Sequence, residues 1–154
     1  MRKITPFIWF NDNLEEAMNY YLSVFEKAKV ISVTRTGDQP DSPLFSAVFE
    51  IEGQVLYAIN GGPYLELNAA FSLFVDCKDQ AEVDRLWDRL CDGGEPSRCG
   101  WLKDKFGLSW QIIPARLGEL LGDPDHEKAG RARDAMLTMS KIDVEALERA
   151  ALGL

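Results

Sequence analysis

Apolar and polar residues along the first 116 positions follow a pattern that occurs twice. In the first copy, alternating runs rich in β-branched and aromatic residues indicate strands, and apolar residues spaced three and four apart indicate a helix. Turn-forming residues at 11–13, 37–43 and 52–53 separate these segments. The pattern predicts a strand, a helix and three more strands, at residues 4–10, 14–25, 30–36, 45–51 and 54–60.

The same order of elements begins again near residue 70. It predicts a strand at 70–75, a helix at 80–91, and strands at 99–103 and 108–113. A strand expected at 94–98 is poorly marked in the sequence. A repeat of element order at a spacing of about 65 residues indicates an internal duplication of a βαβββ unit. The predicted fold class is therefore α+β, with paired βαβββ modules.

The last forty residues lose the strand pattern. A helix is predicted at 126–139, with Asp123 as its cap and Pro124 in its first turn, and a short helix follows Asp143. This segment is expected to be an appendage packed on the body or on a partner subunit. The predicted organisation is one domain at 1–116, with modules at about 1–63 and 64–116, followed by a C-terminal helical tail at 117–154.

Composition narrows the classes of partner. The 154 residues carry a formal net charge of −8, which opposes binding to the phosphate backbone of nucleic acids. No apolar run approaches the length of a membrane span, and no secretory leader precedes the first strand. The three cysteines show no paired spacing and are interpreted as reduced thiols. A cytoplasmic protein with no nucleic acid or membrane partner is expected.

Several stretches resemble the PhnB-like family, which also carries the label 3-demethylubiquinone-9 3-methyltransferase domain. They are residues 4–10, 15–21, 57–63, 79–87 and 99–112, and the tail at 123–150 is similar as well. This family is part of the vicinal-oxygen-chelate superfamily, with glyoxalase I and the bleomycin-resistance and fosfomycin-resistance proteins. The resemblance implies an open, cupped eight-stranded barrel, and a homodimer.

Enzymes of that superfamily hold a divalent cation with His, Gln or Glu side chains that point into the cup. The corresponding positions here fall at Pro6, near Phe71 or Ser72, and at Gln111. Proline has no ligating atom, and a neutral amide is a weak ligand for such cations. The single histidine, His126, lies in the tail. No metal and no cofactor are therefore expected.

The resemblance and the two-residue period of strands together predict what lines the cup instead. Ser109 and Gln111 are predicted to face inward, with Trp101 on the neighbouring strand and Phe10 on the first strand. The predicted ligand-contacting residues are Phe10, Glu50, Asn60, Ser72, Cys99, Trp101, Lys103, Ser109 and Gln111. Simpler interpretations remain for several of them. Cys99 has no histidine to activate it, Gln111 can serve only the backbone, and Lys103 can pair with Glu50.

Four functions are compared with these observations. The first is a protein that binds a small molecule in the cup without a catalytic metal, and whether it is an enzyme is left open. The second is a metal-dependent lyase, isomerase or dioxygenase, and the third is a protein that sequesters a planar drug between aromatic walls. Literal methyltransferase activity conflicts with the sequence, because no strand–GxGxG–helix unit is present to hold S-adenosylmethionine.

Overall fold

The first repeat of the predicted pattern forms a four-stranded sheet with one helix. The structure is a computed structural model and describes residues 2–154. It divides into two compact units between Leu67 and Asn68. The elements of the first unit are β1 (Phe7–Phe10), α1 (Leu14–Val24), β2 (Ala28–Arg35), β3 (Leu44–Ile51) and β4 (Gln54–Asn60). Their order in the sheet is β1-β4-β3-β2, with β1 parallel to β4 and the other pairs antiparallel.

Helix α1 closes one face of this sheet. Its buried residues pack with the strand residues of one parity, among them Ile8, Phe10, Phe49 and Leu56, all of which are almost fully buried. The prediction for β1 began at residue 4, three positions too early. β1 is an outer strand of the sheet and Pro6 directly precedes it, where the missing N–H of proline removes no bond of the ladder.

The start of α1 is held by a residue from far along the chain. Asn13 occupies the cap position but its side chain makes no capping bond. Instead, the backbone N–H of Leu14 donates to Asn60 Oδ1 at 3.0 Å, and Asn60 Nδ2 donates to the carbonyl oxygen of Leu44 at 2.9 Å. One amide at the end of β4 therefore joins the helix, β4 and the start of β3.

A two-residue turn joins β3 to β4, as predicted. Glu52 and Gly53 both have positive φ, and Ile51 pairs directly with Gln54. Two consecutive positive φ values match the right-handed twist of a hairpin.

The second unit repeats the arrangement. Its sheet elements are β5 (Ser72–Cys77), α2 (Gln80–Cys91), β6 (Glu95–Pro96), β7 (Trp101–Lys103) and β8 (Ser109–Pro114). The strand order is β5-β8-β7-β6, with β5 parallel to β8. The poorly marked strand is the two-residue β6. The predicted fold class of two βαβββ modules with a helical tail is confirmed.

A buried carboxylate shapes the turn between β7 and β8. Asp104 accepts hydrogen bonds from the backbone N–H groups of Phe106 and Leu108 through Oδ1. Its Oδ2 accepts from the indole N–H of Trp110 at 2.9 Å. Burial of a charge requires such bonds, and here they hold the hairpin and a core tryptophan in one arrangement.

The tail contains three helices where two were predicted. They are α3 (Ala115–Leu121), α4 (His126–Met136) and α5 (Val144–Ala151). The predicted cap at Asp123 is wrong, because Asp125 accepts the first N–H groups of α4, whereas the predicted cap at Asp143 is confirmed. Apolar residues of the tail are buried together with Ile113 of β8: Leu117, Leu120, Ala132, Ile142, Leu147 and Ala151. The tail therefore packs on the second unit. No helix within residues 2–154 is both long enough and apolar enough to cross a membrane.

We expect Asn60→Ala to lower the free energy of unfolding by about 1–3 kcal/mol, because it leaves the N–H of Leu14 and the carbonyl of Leu44 without partners. Asn13→Ala is the matched control and should change it by less than about 0.5 kcal/mol. Urea denaturation of the two variants measures the difference. Equal effects would show that the amide at position 60 is not the cap of α1.

Candidate functional site

The face of the second sheet that lies opposite α2 carries two rows of three side chains. In the register of the strands, Trp101 of β7, Gln111 of β8 and Phe74 of β5 form one row. Lys103, Ser109 and Ser72 form the next row. Strands lie about 4.8 Å apart and alternate residues about 7 Å apart, so the six positions cover about 10 Å by 7 Å. We call these six residues the β5–β8–β7 patch.

The other parity of the same strands forms the core. Leu102, Trp110 and Ile112 are almost fully buried, and so are Val83, Leu86 and Leu90 of α2. The predicted alternation along β8 is therefore observed, with Trp110 and Ile112 on the helix side and Ser109 and Gln111 on the other. Five of the nine predicted ligand-contacting residues share this second face: Ser72, Trp101, Lys103, Ser109 and Gln111.

The hydrogen-bonding groups of the patch are only partly used. Gln111 Nε2 donates to Ser72 Oγ at 2.9 Å, which orients the amide, while no group of the described residues donates to Gln111 Oε1. The indole N–H groups of Trp9 and Trp110 are bonded to protein oxygens. That of Trp101, which is half-buried, forms no hydrogen bond within residues 2–154.

The patch also exposes a cation and an aromatic ring. Lys103 forms no ion pair with the described residues, although Glu95 lies opposite it on β6. Phe74 is 60% exposed in the middle of β5. Sequence reasoning missed Phe74, although its position two residues after Ser72 places it on the same face.

The predicted orientation of Phe10 is wrong. Phe10 and Ile8 lie on the face covered by α1, and Phe10 is 2% exposed. The parity chosen for β1 was off by one, because the opposite face carries Phe7 and Trp9. Pro6, to which the first-strand metal-ligand position was assigned, lies directly before β1 and has no ligating side chain.

Asn60 also lies on the helix side, where both ends of its side-chain amide bind the backbone. Its role in the structure is to cap α1, and this holds its side chain on the helix side of the sheet. Sequence reasoning missed this role because Asn60 lies 46 residues from Leu14, the residue that it caps.

Cys99 lies in the turn before β7 and outside any strand. Its φ is 57°, and its backbone N–H donates to the carbonyl oxygen of Met139 in the tail. The extended backbone, in which alternate side chains share a face, therefore reaches from Lys103 to Trp101 and does not include Cys99. The predicted placement of Cys99 beside them on one strand face is wrong.

The corresponding face of the first sheet carries Glu50 and an aromatic group. Glu50 lies 3.9 Å from Lys29 Nζ, in the same unit, so the structure provides it with a partner other than the predicted Lys103. The rings of Phe7 and Tyr57 stack with centroids 4.8 Å apart, although Phe7 is 56% exposed. These rings were missed because of the same parity error in β1.

The glycines at 61 and 62 have a structural role next to Trp9. A Cβ atom at position 61 would collide with the Trp9 ring, and Trp9 Nε1 donates to the carbonyl oxygen of Gly62. The chain then turns and does not enter a helix. This segment therefore lacks the strand–loop–helix geometry that holds the dinucleotide-type phosphate or adenosyl ligands of Rossmann folds.

The donor atoms of the patch do not fit a divalent cation. They are an amide, two hydroxyls, an indole N–H and an ammonium, whereas hard and borderline cations favour carboxylates and imidazoles. Within residues 2–154, no three His, Cys, Asp or Glu side chains are grouped so that they could hold a metal ion. The expectation that the protein works without a metal stays a prediction.

The tandem βαβββ units, each with a helix on one face of its sheet, have the glyoxalase and bleomycin-resistance-like fold. The family model described as 3-demethylubiquinone-9 3-methyltransferase matches residues 2–113. The chain belongs to this family, the PhnB-like proteins.

One solved structure supports this assignment, and two others show the same fold. A PhnB protein from Bacillus cereus, which carries the same methyltransferase description, is 31% identical, with 74% of this chain and all of that chain covered and a TM-score of 0.67. A Pseudomonas aeruginosa protein is 22% identical, with 74% and 98% covered and a TM-score of 0.62. The fosfomycin resistance protein FosX from Listeria monocytogenes, solved with Mn(II) and sulfate, is 18% identical, with 71% and 89% covered and a TM-score of 0.51. Comparison with curated proteins found no match.

Cys77, at the end of β5, has a strongly perturbed thiol. Burial raises its pKa to about 12, and the nearby carboxylates of Glu82 and Asp76 add to the shift. The side chain is on the core side and is fully buried. A protonated, inaccessible thiol is a poor nucleophile, so Cys77 is a packing residue.

We expect the stability of the protein to fall as the pH rises from about 9 towards 12. An unfolded thiol ionises near pH 9.0, whereas folded Cys77 keeps its proton to about 12, so over this range the folded state binds one proton more. Cys77→Ala should therefore reduce the loss of stability between pH 8 and pH 10.5 in urea denaturation. Cys99→Ala is the control. An equal loss in wild type and Cys77→Ala would contradict the prediction.

Proposed function

We propose that this protein binds a small planar organic anion on the β5–β8–β7 patch, without a resident metal ion. The observation that carries the proposal is the set of unused polar groups on one sheet face: Trp101 Nε1–H, Gln111 Oε1 and the Lys103 ammonium. These groups are open to solvent, because no buried side-chain nitrogen or oxygen of residues 2–154 lacks a partner, and a ligand on the patch would take the place of water in their hydrogen bonds.

Two aromatic rings favour a flat ligand. Phe74 and Trp101 stand at the two ends of one row, with Gln111 between them. Rings at such positions can contact the face or edge of a planar molecule, and a stacked pair contributes about 0.5–1.5 kcal/mol beyond the area that it buries. The amide of Gln111, held by Ser72, then meets a polar atom of the ligand between the rings.

Lys103 supplies the preference for an anion. Lys103 shares its row with Ser72, whose hydroxyl can donate to the same acidic group, whereas Ser109 between them is only 3% exposed. The net charge of −8 weakens long-range attraction of anions, so the preference depends on this local group. Exposed charge pairs are also screened by salt, and we expect the affinity to fall as ionic strength rises.

Three other functions are weaker. A metal-dependent lyase, isomerase or dioxygenase requires ligands that the patch lacks. Sequestration of a planar drug would use the same aromatic residues, so the binding experiment covers it. Methyl transfer would require an adenosyl site for which the 60–63 segment offers no loop–helix geometry.

The test uses 2-naphthoate, with the neutral 2-naphthamide as its isostere. We expect 2-naphthoate to shift the Trp101 indole and Gln111 side-chain NMR signals, and Trp101→Ala to weaken its binding at least about tenfold. Lys103→Gln should remove the preference for the anion over the amide. Titration followed by NMR measures both effects.

Tyr64→Ala and Gln39→Ala are matched controls, because both residues are exposed and lie outside the patch. They should leave 2-naphthoate binding unchanged. Binding that is equally weak in wild type and Trp101→Ala would reject the patch as the site. Stoichiometric uptake of Mn, Fe, Ni or Zn after chelation and reloading would favour the metal-dependent alternative.

We also propose that the protein is a homodimer. The support is the family resemblance, together with exposed large apolar side chains such as Ile31 and Phe45. The tail does not support the proposal, because its apolar residues are buried within the second unit and are not left for a partner subunit. Size-exclusion chromatography with light scattering should give about twice the chain mass of 17.3 kDa. A single species of one chain mass would contradict it.

A further inference from the structure

We propose that the tail segment Met139–Ile142, which we call the strap, is a positioning element of the β5–β8–β7 patch. This inference rests on the proposed function. The strap lies outside the residues 2–113 that the family model matches, and the Bacillus cereus PhnB protein is fully covered by only 74% of this chain. The strap is therefore not part of the segment that the family model describes.

The strap is bonded directly to the turn that precedes Trp101. The backbone N–H groups of Cys99 and Gly100 donate to the carbonyl oxygens of Met139 and Ser140, both at 2.8 Å. Ser140 Oγ donates to the carbonyl oxygen of Ser97 at 2.6 Å. Three hydrogen bonds thus join the strap to residues 97–100 of the turn.

Gly100 allows this close approach. Its φ is +86°, and a Cβ atom there would lie 2.6 Å from Ile113 Cδ1 and 3.1 Å from Ile142 Cγ1. Its own carbonyl oxygen accepts from the N–H of Ile112 at 2.7 Å, which continues the bonding between the β7 segment and β8. Glycine at this position brings strap, turn and β8 into contact.

The strap also marks where the patch ends. Ile113 is two residues beyond Gln111 on the same sheet face and would begin a third row. It is instead buried in the apolar cluster of the tail with Ile142. The tail therefore covers the face beyond the Phe74–Gln111–Trp101 row and limits a ligand in that direction.

The strap is anchored at its other end to α2. Gln80 Nε2 donates to the carbonyl oxygen of Ile142 at 2.9 Å, and Gln80 Oε1 accepts from the N–H of Val144 at 2.8 Å. Lys141 Nζ lies 2.9 Å from Asp84 Oδ1. The pKa of Asp84 is lowered by its hydrogen bonds to Gln80 and Lys141. These contacts lie on α2, away from the patch, so they can be removed without changing any of its six residues.

The experiment compares the double variant Gln80→Ala/Ser140→Ala with Arg116→Ala. The double variant removes four side-chain hydrogen bonds, those of Gln80 with Asp84, Ile142 and Val144 and that of Ser140 with Ser97. Arg116→Ala removes bonds to Glu119 and Glu148 within the tail. We expect amide exchange at Cys99 and Gly100 to accelerate at least about tenfold in the double variant and not in the control. The Trp101 indole signal should shift, and 2-naphthoate binding should weaken in parallel.

The two readouts separate the proposals. If wild type does not bind 2-naphthoate but exchange and the indole signal respond as stated, the proposed ligand is wrong and the strap still positions the turn. Unchanged exchange at Cys99 and Gly100 would overturn the strap. Faster exchange that is equal at Leu56 of the first unit would overturn it too, because this would show a global loss of stability. Gly100→Ala, which crowds Ile113 and Ile142, should reproduce the effect on Trp101.

Discussion

Helices α1 and α2 each pack on only one face of their sheet. This division between two faces decides which side chains form the core and which form the candidate site. In a strand, neighbouring side chains point to opposite faces, so the residues that pack under a helix decide which residues remain outside. In the second unit, Leu102, Trp110 and Ile112 pack with α2, and this leaves Trp101 and Gln111 on the free face. The candidate site is thus a consequence of how the core is built.

The register across three strands turns single residues into a surface. β5 runs parallel to β8 and β7 runs antiparallel to it, yet both place their partners opposite Gln111 and Ser109. A shift of one residue in either pairing would exchange core and free faces. The turn held by Asp104 opposes such a shift between β7 and β8, because its carboxylate binds two backbone N–H groups and the indole of Trp110. The arrangement of the β5–β8–β7 patch therefore depends on the same β7–β8 hairpin that the buried carboxylate of Asp104 holds.

Several residues that resemble family motifs serve the fold. Gly61 makes space for Trp9, Asn60 caps α1, and Gly100 admits the strap. These are close approaches of backbone and side chain, where a larger residue or a missing amide has a direct steric or hydrogen-bonding cost. Similarity in such segments therefore indicates a shared fold more directly than a shared reaction. The methyltransferase description of the family is not supported by any adenosyl-binding geometry in these segments.

The sequence alone determined the order of elements, the duplication, the hairpin turn at 52–53 and the alternation along β8, because these depend on neighbouring residues and on turn chemistry. Helix α3 was missed, and so was the parity of β1, a strand of four residues that is too short to establish its own alternation. Only the tertiary structure decided that Asn60 caps a helix and that Cys99 turns toward the tail. Each of these contacts joins residues dozens of positions apart. Such contacts form only when the chain is folded, so the spacing of neighbouring residues does not indicate them.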